Sequence, residues 1–375
     1  SCYLWNIQYV EQVITELAKV LPDTQIWLGG PEVSYDAPEM LRKYPMISGI
    51  MCGEGEETFR ELAEHFHGEG KGLRDIKGIV FRDRDGAVIQ NESRPVMDLN
   101  KIPFVYEDIE NFKNRIIYYE SSRGCPFSCS YCLSSIDKCL RFRDIGLVKK
   151  ELQFFIDHEV PQVKFVDRTF NCRHDHAMAV WSYIMEHDRG KTNFHFEIAA
   201  DLLNEEEIRL INSMRPGLIQ LEIGVQSANP QTIREICRRM DLEKVQVNTA
   251  RIRERGNVHQ HLDLIAGLPY EGIQSFASSF NEVYAMKPEQ LQLGFLKVLK
   301  GSLMHERAAE YGILYQDRAP YEVLSTRWLS YGKIIRLKKI EEMVEVYYNS
   351  AQFTNTLCRL EKHFPSPFAM YEALG

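Results

Sequence analysis

The sequence has no excess of positive charge and no long apolar run. Among its 375 residues, 45 are Lys or Arg and 53 are Asp or Glu, which gives a net charge of -8. No global basic field is therefore available to recruit nucleic acid. No apolar segment approaches the roughly 20 residues that span a bilayer. The first residues, SCYLWNIQYVEQV, lack the basic region and the cleavage site of a signal peptide. We therefore expect a cytoplasmic protein with neither a membrane nor a nucleic acid as partner.

Several common chemical signatures are also missing. The 11 histidines form no H-E-x-x-H or similar metal-binding spacing, and the chain has no Gly-rich P-loop and no low-complexity segment. Nine cysteines are an odd number in a long chain without a secretory signal, so reduced thiols are expected rather than a disulfide framework. Hydrophobic content of 44% and charged content of 26% are typical of a globular protein. A length of 375 residues is enough for two or more domains.

Three cysteines stand close together in the stretch RGCPFSCSYC. Cys125, Cys129 and Cys132 have the spacing C-x3-C-x2-C. Structural zinc sites prefer four protein ligands, and no local histidine supplies the fourth here, although Cys139 is a candidate. A [4Fe–4S] cluster held by three thiolates leaves one iron open to another ligand. The spacing favours such a cluster, while a zinc site or a set of unrelated thiols stays open at this point.

The cysteines follow the first of a series of apolar runs that alternate with helical patterns. This alternation predicts an α/β fold, an incomplete TIM-like (β/α)6 barrel whose functional residues lie at the carboxyl ends of the strands. The predicted strands are IIYYES, QVKFVD, FHFEIA, LIQLEIGV, HLDLIAG and LQLGFLKV, and the predicted helices are 146–158, 174–187, 204–214, 242–255 and 275–286.

The first 75 residues show the same alternation with only about two strands, too few for a stable doubly wound sheet. We interpret residues 1–75 as the second half of a Rossmann-like domain whose first half would lie upstream. A hairpin around Asp85-Gly86 and a linker with Pro95 and Pro103 are predicted within 76–115. The barrel is assigned to 116–300, and a helical C-terminal region, incomplete, to 301–375.

The cysteine stretch CPFSCSYC resembles the signature of the radical S-adenosylmethionine (SAM) superfamily. The resemblance implies that Cys125, Cys129 and Cys132 bind a [4Fe–4S] cluster whose open iron chelates SAM. It further implies reductive cleavage of SAM to methionine and a 5'-deoxyadenosyl radical. Tyr131, before the last cysteine, would lie beside the adenine. A reductant such as flavodoxin or ferredoxin is the expected protein partner.

Further residues resemble the SAM-binding set of the coproporphyrinogen-dehydrogenase-like branch of this superfamily. Glu197 would accept from the SAM ammonium, and Asp263 from its ribose hydroxyls. Gln226 follows the fourth strand, and Arg238, twelve residues later, would pair with the SAM carboxylate through its planar fork. Arg239 competes with Arg238 for that role, and Glu222 is a weaker candidate on the same strand as Gln226.

The second barrel strand ends FVDRTFN, which resembles a D-x-x-F variant of radical SAM proteins that carry a cobalamin (B12) domain. Asp167 would serve the SAM amino group there, and a buried capping role is the alternative. The N-terminal stretches WLGGPEVSYDAPEML and IMCGEGEETFREL resemble the last two units of a B12-binding domain. Glycines at strand ends permit close approach of a ligand. The residues implied in cobalamin binding are Gly29, Gly30, Pro31, Gly53, Glu54 and Gly55.

The stretch from Leu299 onwards resembles a group of B12-domain radical SAM proteins with an extra helical C-terminal domain, and the chain is expected to be a fragment truncated at both ends. The D-x-H-x-x-G loop that supplies an axial histidine to cobalamin is not in this sequence. The resemblance implies a radical SAM enzyme, with cobalamin-dependent methyl transfer to an unactivated carbon or a rearrangement. B12-independent hydrogen abstraction and a non-catalytic Fe–S protein are the alternatives. The substrate, a small molecule or a peptide, is not identified by the sequence.

Overall fold

The computed structural model describes residues 1–113, 115–136 and 138–375 of the chain. These residues form two compact units. Unit 1 contains residues 1–102 together with 298–306 and 316–322. Unit 2 contains residues 103–297, 307–315 and 323–375. The domain boundaries expected from the sequence stay a prediction.

Unit 1 is built on a four-stranded sheet in the order β1-β2-β3-β4. The first two strands are parallel, as expected of a βα repeat. The predicted hairpin, β3 and β4, adds to the second strand in antiparallel fashion. Gly86, with φ of +82°, makes its turn. The elements of this unit are α1 Ile7–Val20, β1 Ile26–Gly29, α2 Pro31–Ser34, α3 Ala37–Lys43, β2 Ile47–Met51, α4 Glu56–His67, β3 Ile79–Arg82, β4 Val88–Gln90 and, from the later segment, α11 Leu303–Glu306.

The core of unit 1 forms where α4 packs on the sheet. Leu62 from the helix meets Ile79 and Phe81 from β3, and all three are buried. The later segment 298–306 joins the same unit through Lys300, whose Nζ lies 2.8 Å from Asp36 Oδ2.

Unit 2 contains a parallel six-stranded sheet in the order β12-β11-β10-β9-β8-β5. All six strands expected from the sequence are present, and the five helices begin and end within two residues of the predicted bounds. The fold prediction is therefore confirmed. The elements are β5 Ile117–Tyr119, β6 Ser122–Arg123, β7 Arg141–Phe142, α5 Ile145–Asp157, β8 Gln162–Phe165, α6 His174–His187, β9 Asn193–Ile198, α7 Glu205–Ser213, β10 Ile219–Gln226, α8 Pro230–Glu235, α9 Leu242–Arg253, β11 His259–Ala266, α10 Ile273–Ala285 and β12 Gln290–Phe295.

The strands of this sheet have an apolar face and a polar face. In β10, the odd-numbered residues from Ile219 to Val225 are buried, while the even-numbered Gln220, Glu222 and Gln226 are partly accessible. The same polar face carries charged side chains from the neighbouring strands. In complete TIM barrels, the face of the strands that points into the barrel carries mostly branched apolar side chains. The sheet is therefore held mainly by its apolar, helix-covered side.

The end of unit 2 is mostly helical, as predicted. A short antiparallel pair precedes the last three helices, and a π-helical turn over Glu345–Asn349 extends the first of them. The elements are β13 Leu314–Tyr315, β14 Val323–Ser325, α12 Tyr331–Val344, α13 Thr354–Leu360 and α14 Pro367–Leu374. Among the helices of the described ranges, none combines the length and the apolar character that crossing a bilayer requires.

Candidate active site

The three cysteines lie on the loop that joins β6 to β7. These two short strands pair in antiparallel fashion and close the loop at its base. Gly124, with φ of +97°, precedes Cys125, and a Cβ there would lie 2.8 Å from the carbonyl oxygen of Cys139. Only glycine combines this conformation with such close backbone packing. This close packing fixes the position of the cysteine loop relative to β6 and β7.

A cavity of about 190 Å³ lies at the carboxyl ends of the unit 2 strands. All three cysteines line it, together with Tyr131, and so do the predicted SAM-binding side chains other than Asp167. The lining residues are Cys125, Phe127, Cys129, Tyr131, Cys132, Ser134, Arg168, Thr169, Glu197, Ile198, Ala199, Asp201, Glu222, Gly224, Gln226, Arg238, Arg239 and Asp263. Residues separated by more than 100 positions in the chain thus share one site.

Arg238 links the strand ends to the cysteine loop. Its Nη1 lies 3.8 Å from Cys129 Sγ and 3.4 Å from the Tyr131 hydroxyl, and its Nη2 donates to the carbonyl oxygen of Gly224. The buried Arg238 Nε has no hydrogen-bond partner in the described structure. The guanidinium therefore keeps a donor for an added ligand.

The backbone around Arg238 explains its direction. Helix α8 ends before Cys237, whose φ of +54° turns the chain towards the cavity. The backbone N–H of Ser130 donates to the carbonyl oxygen of Ile236 at 2.9 Å, which ties the cysteine loop to this turn. Arg239 also lines the cavity but is exposed, whereas Arg238 is partly buried. This difference favours Arg238 as the carboxylate partner.

Gly224 and Gln226 form a second polar position at the end of β10. A Cβ on Gly224 would collide with Gln226 Nε2, so the glycine makes room for the glutamine side chain. Gln226 adopts φ of +71° at the strand end. Its buried Oε1 has no hydrogen-bond partner within the described residues. An acceptor is therefore available beside the Arg238 guanidinium.

Glu222 lies below this position and is already paired. Lys164 Nζ lies 3.1 Å from Glu222 Oε2, and His195 Nε2 lies 3.0 Å from the same oxygen. The hydrogen bond with His195, aided by Lys164, lowers the pKa of the Glu222 carboxyl to about 2 against the opposing effect of burial. The glutamate is thus a fixed anion that already has two basic partners.

Glu197 and Asp263 offer carboxyl groups to the cavity from β9 and β11. Burial raises the pKa of Glu197 to about 7, although the charge of Arg168 opposes the rise. Burial also raises the pKa of Asp263. His261 Nε2 lies 3.0 Å from Asp263 Oδ1, and this contact raises the pKa of the histidine despite its own burial. Asp263 is held by a histidine, whereas Glu197 titrates near neutral pH.

Asp167 does not line the cavity. Its side chain is fully buried and accepts from Ser121 N at 3.0 Å, Ser121 Oγ at 2.7 Å and Ser122 Oγ at 2.5 Å. Burial raises its pKa to about 6 against these hydrogen bonds. Its oxygens fasten the turn after β8 to Ser121 and Ser122, just before the cysteines. The side chain is therefore a buried structural group, but it does not cap α6, which follows Arg173 at its N-cap. Its expected contact with SAM is not supported by the geometry.

The following residues, Arg168 and Thr169, reach the cavity instead. Thr169 Oγ1 lies 3.8 Å from Cys125 Sγ. The FVDRTFN turn predicted from the sequence thus reaches the cavity through Arg168 and Thr169, which follow the end of β8 at Phe165. The assignment of Asp167 to SAM stays a prediction. Asp201 was missed altogether, because it sits in a 3-10 turn after β9 that carries no motif.

The residues present fit a [4Fe–4S] cluster with SAM as its ligand. Across the described ranges, no three His, Cys, Asp or Glu side chains converge on a single metal ion. A [4Fe–4S] cluster does not require three ligands at one metal ion, because its three thiolates bind three separate irons. The unpartnered donor of Arg238 and acceptor of Gln226 suit the carboxylate and ammonium of a zwitterionic ligand. Cys139 is exposed and outside the cavity lining, which argues against a zinc site that uses it.

The glycines expected to meet cobalamin fall into two groups in unit 1. Gly29 and Gly30 lie against the start of the chain: Cys2 N donates to Gly29 O at 2.6 Å, and a Cβ on Gly30 would lie 2.6 Å from Cys2 O. Gly53 and Gly55, after β2, have open space where a Cβ would stand. Open space at a strand end suits a bulky ligand.

Gly53 also lines a cavity of about 550 Å³, which the other predicted cobalamin residues do not line. Glu54 is engaged within the protein, since its Oε2 accepts from Met97 N at 2.8 Å. Pro31 begins α2 directly after Gly30. The assignment of these six residues to cobalamin stays a prediction.

Comparison with known families agrees with the site. Residues 119–283 match the Radical SAM superfamily, residues 1–63 match a B12 binding domain, and residues 309–375 match a family described as "Protein of unknown function (DUF4080)". The first match contains all three cysteines and every predicted SAM residue. The second contains all six residues expected to meet cobalamin.

Individual proteins are similar to most of this chain. The cobalamin-dependent radical SAM methyltransferase TokK of Streptomyces tokunonensis is 23% identical over 335 residues, which are 84% of this chain and 49% of TokK. An uncharacterized methyltransferase of Pyrococcus horikoshii is 21% identical over 363 residues, 94% of this chain and 75% of that protein. This chain thus spans about half the length of TokK.

Among solved structures, the chain is similar to the radical SAM methyltransferase TsrM of Kitasatospora setae, with cobalamin and a [4Fe–4S] cluster bound. The TM-score is 0.68 at 16% identity, and the likeness covers 84% of this chain and 67% of TsrM. At 16% identity, this likeness shows that the two proteins share a fold.

Proposed function

We propose, from the premise that this chain is a radical SAM protein with a B12-binding segment, that it belongs to an enzyme that cleaves SAM reductively and transfers methyl groups with the help of cobalamin. The main support for the proposal is that Arg238 contacts the cysteine loop. The guanidinium lies 3.8 Å from Cys129 Sγ and still has an unpartnered Nε. A sulfur-bound cluster and a carboxylate partner in one cavity are what SAM requires.

The roles of the cavity residues follow from their positions. Cys125, Cys129 and Cys132 would hold the cluster, which when bound supplies the electron that cleaves SAM into methionine and a 5'-deoxyadenosyl radical. Arg238 would fork the SAM carboxylate, because a planar guanidinium matches a carboxylate through two parallel hydrogen bonds. Glu197 would accept from the SAM ammonium.

On the opposite part of the ligand, Asp263 would accept from the ribose hydroxyls, with His261 holding its carboxylate in place. Tyr131 would lie beside the adenine. Gln226 would offer its free Oε1 to the methionyl end. A one-electron donor such as flavodoxin or ferredoxin would reduce the cluster.

The methyl-transfer part of the proposal rests on the B12-binding match and on relatives whose names describe methyltransferases. Bound cobalamin would supply a methyl carrier, so that SAM serves both as methyl source and as radical source. Transfer to an unactivated carbon is the reaction that this pairing favours. A rearrangement, B12-independent hydrogen abstraction and a non-catalytic Fe–S role are the alternatives.

The test is product analysis on anaerobically reconstituted protein. Given SAM and dithionite, the protein should form 5'-deoxyadenosine, and after reconstitution with hydroxocobalamin it should also form S-adenosylhomocysteine. Formation of 5'-deoxyadenosine without any effect of cobalamin would support hydrogen abstraction without B12. Absence of both products from protein that holds an intact cluster would contradict an enzymatic function.

Substitution of Arg238 by lysine should weaken SAM binding about ten- to hundredfold. A point ammonium cannot reproduce two parallel bonds, and a charge-assisted hydrogen bond contributes roughly 1.5–3 kcal/mol. Equilibrium dialysis against labelled SAM measures the change, and the cluster spectrum should be retained. Arg239→Lys is the matched control, with an expected change below about twofold. If Arg239→Lys weakens binding and Arg238→Lys does not, the carboxylate partner is the second arginine.

SAM affinity should rise with pH through the titration of Glu197. Its pKa is raised to about 7 by burial, so the carboxyl is mostly neutral below that pH and becomes an anion able to pair with the ammonium above it. With this pKa the ionised fraction of Glu197 rises roughly eightfold between about pH 6 and pH 7.5, and we expect a gain in SAM affinity of about that size. Dissociation constants at the two pH values measure this.

Glu197→Gln provides the comparison, since an amide cannot titrate. Its affinity should be lower at the upper pH and nearly flat across the range. An equal pH dependence in both proteins would mean that another group, such as the SAM amine itself, causes the change.

A further inference from the structure

The cavity beside the three cysteines contains more positive charge than SAM binding uses. Arg168, Arg238 and Arg239 all line it. Arg238 is partly buried and is the proposed partner of the SAM carboxylate, whereas Arg168 and Arg239 are exposed. Within the described residues, neither exposed arginine has a hydrogen bond or a close ion pair through its side chain. Two guanidiniums are thus left over once SAM has been accounted for.

Two carboxylates of the same cavity are already paired with other basic groups. Glu222 contacts Lys164 and His195. Asp263 contacts His261. The charges of these two carboxylates are therefore balanced within the protein, and they do not neutralise the exposed arginines.

The other two carboxylates of the lining, Glu197 and Asp201, leave an excess of positive charge. Glu197 is assigned to the SAM ammonium in the proposed function. Asp201 accepts from the backbone N–H of Asp241 at 3.0 Å, so one carboxylate stands against two guanidiniums. The sulfonium of SAM is balanced by the thiolate-bound cluster, which is anionic, and does not change this excess.

The two exposed arginines reach the cavity from both sides of β9. Arg168 follows β8, and Arg239 follows α8, the helix after β10. Strands β8 and β10 are the two neighbours of β9 in the sheet. The charge of Arg168 opposes the rise that burial causes in the pKa of Glu197 on β9. Arg168 therefore acts on the interior of the cavity although its side chain is exposed.

We propose that Arg168 and Arg239 bind an anionic group of the substrate, a carboxylate or a phosphate. The inference rests on the proposed function and assigns a substrate class to the same cavity. A chain with a net charge of -8 repels anions at long range, so an anionic substrate needs a local cationic site. Guanidiniums suit this role because their planar N–H groups match carboxylate and phosphate oxygens. The substrate is then a small anionic molecule or a peptide with an acidic group, rather than a neutral hydrocarbon.

Two other cavities of the described chain carry less. In the cavity of about 580 Å³ beside Tyr284 and Tyr348, the two hydroxyls donate to Glu361 and to the carbonyl oxygen of Pro288. The cavity of about 550 Å³ in unit 1 contains Gly53 and is tied to the cobalamin prediction. Neither cavity therefore indicates an independent ligand.

Residue-resolved labelling tests the anion site in cluster-free protein. Phenylglyoxal, which modifies accessible guanidiniums, should label Arg168, Arg239 and the control Arg209, which is exposed on α7 and outside the cavity lining. Succinate or methyl phosphate should slow the labelling of Arg168 and Arg239 by about fivefold or more and leave Arg209 unchanged. Peptide mass spectrometry measures each rate. Protection of neither cavity arginine, or equal protection of Arg209, would overturn the proposal.

Substitutions give the matching affinities. Arg168→Gln and Arg239→Gln should each weaken binding of the tighter probe about tenfold, and the double variant about a hundredfold. Arg209→Gln should change it by less than about twofold. Calorimetry with succinate and with methyl phosphate measures the constants, and the tighter probe shows which anionic group the substrate carries. A double variant that binds like Arg209→Gln would contradict the proposal. So would a loss of binding caused by Arg238→Gln alone, because the anion would then occupy the place of the SAM carboxylate.

This outcome is separable from that of the proposed function. In cluster-loaded protein, Arg239→Gln should change SAM affinity by less than about twofold, since the SAM carboxylate is assigned to Arg238. If no cluster assembles, or if no SAM is cleaved, the proposed function fails. Labelling and anion binding in cluster-free protein still decide the anion site in that case.

Discussion

Replacing any one of Cys125, Cys129 or Cys132 by alanine is expected to abolish both the visible absorbance of the cluster and the cleavage of SAM. Each thiolate binds its own iron, so the loss of one leaves an incomplete cluster with no distinct open iron to chelate SAM. The three side chains line one cavity with Arg238, and among the described residues no fourth cysteine joins them in the lining. Iron content, absorbance and 5'-deoxyadenosine formation after anaerobic reconstitution measure the effect.

Cys358→Ala is the matched control, because this cysteine is exposed and lies outside the cavity lining. It should retain iron, absorbance and product formation. A variant that lacks one of the three cysteines but keeps a complete, active cluster would contradict the assignment. Retention of one tetrahedral zinc per chain, without iron, would instead revive the zinc interpretation.

Glu151→Ala should lower the free energy of unfolding by about 3–5 kcal/mol. Arg143 Nη2 lies 2.8 Å from Glu151 Oε1, and the Tyr119 hydroxyl donates to Oε2 at 2.6 Å. The side chains of Arg143 and Glu151 are both at least nine-tenths buried. Removing one partner of a buried ion pair leaves the other charge desolvated, which costs several kcal/mol. Urea unfolding followed by circular dichroism measures the loss.

The same substitution should loosen the cysteine loop, because Arg143 follows β7 and its N–H donates to Ser121 O at 2.9 Å. Lys150→Ala, on the exposed side of the same helix, is the control and should change stability by less than about 0.5 kcal/mol. Glu151→Gln keeps an acceptor for Tyr119 and should fall between the two. A Glu151→Ala protein as stable as the Lys150→Ala protein would show that Arg143 finds sufficient compensation elsewhere.

The sequence predicted the sheet of unit 2 well for a physical reason. Strands covered by helices on one face carry buried apolar residues at every second position, as in β10, and such runs are distinct from helical patterns. The site was predictable to the same extent, because Glu197, Gln226 and Asp263 end successive strands and parallel strands bring their carboxyl ends to one edge. Arg238 follows by its fixed spacing from Gln226.

Contacts that depend on tertiary packing were not predictable. Asp167 bonds to the buried Ser121, whereas Thr169 lies beside Cys125. The stretch FVDRTFN does not predict this difference, because it depends on the residue at which β8 ends. Gly30 illustrates the same limit. Its position after a strand suggested room for a ligand, whereas the backbone of Cys2 occupies that space. A glycine in a sequence indicates close packing at its position, but the sequence does not show whether a ligand or another part of the chain packs there.

The polar face of the unit 2 sheet has a consequence for how this protein tolerates change. Its side chains, such as Gln220 and Gln292, contribute little to the apolar packing that holds the strands, which comes from the opposite face. Substitutions on the helix-covered side remove packed methyl groups and destabilise the fold. Substitutions on the polar side leave that packing intact. Evolution, or a laboratory library, can therefore exchange side chains such as Gln220 and Gln292 one by one while the scaffold stays folded. The ion-paired members of the face, Lys164, Glu222 and His195, have to change together.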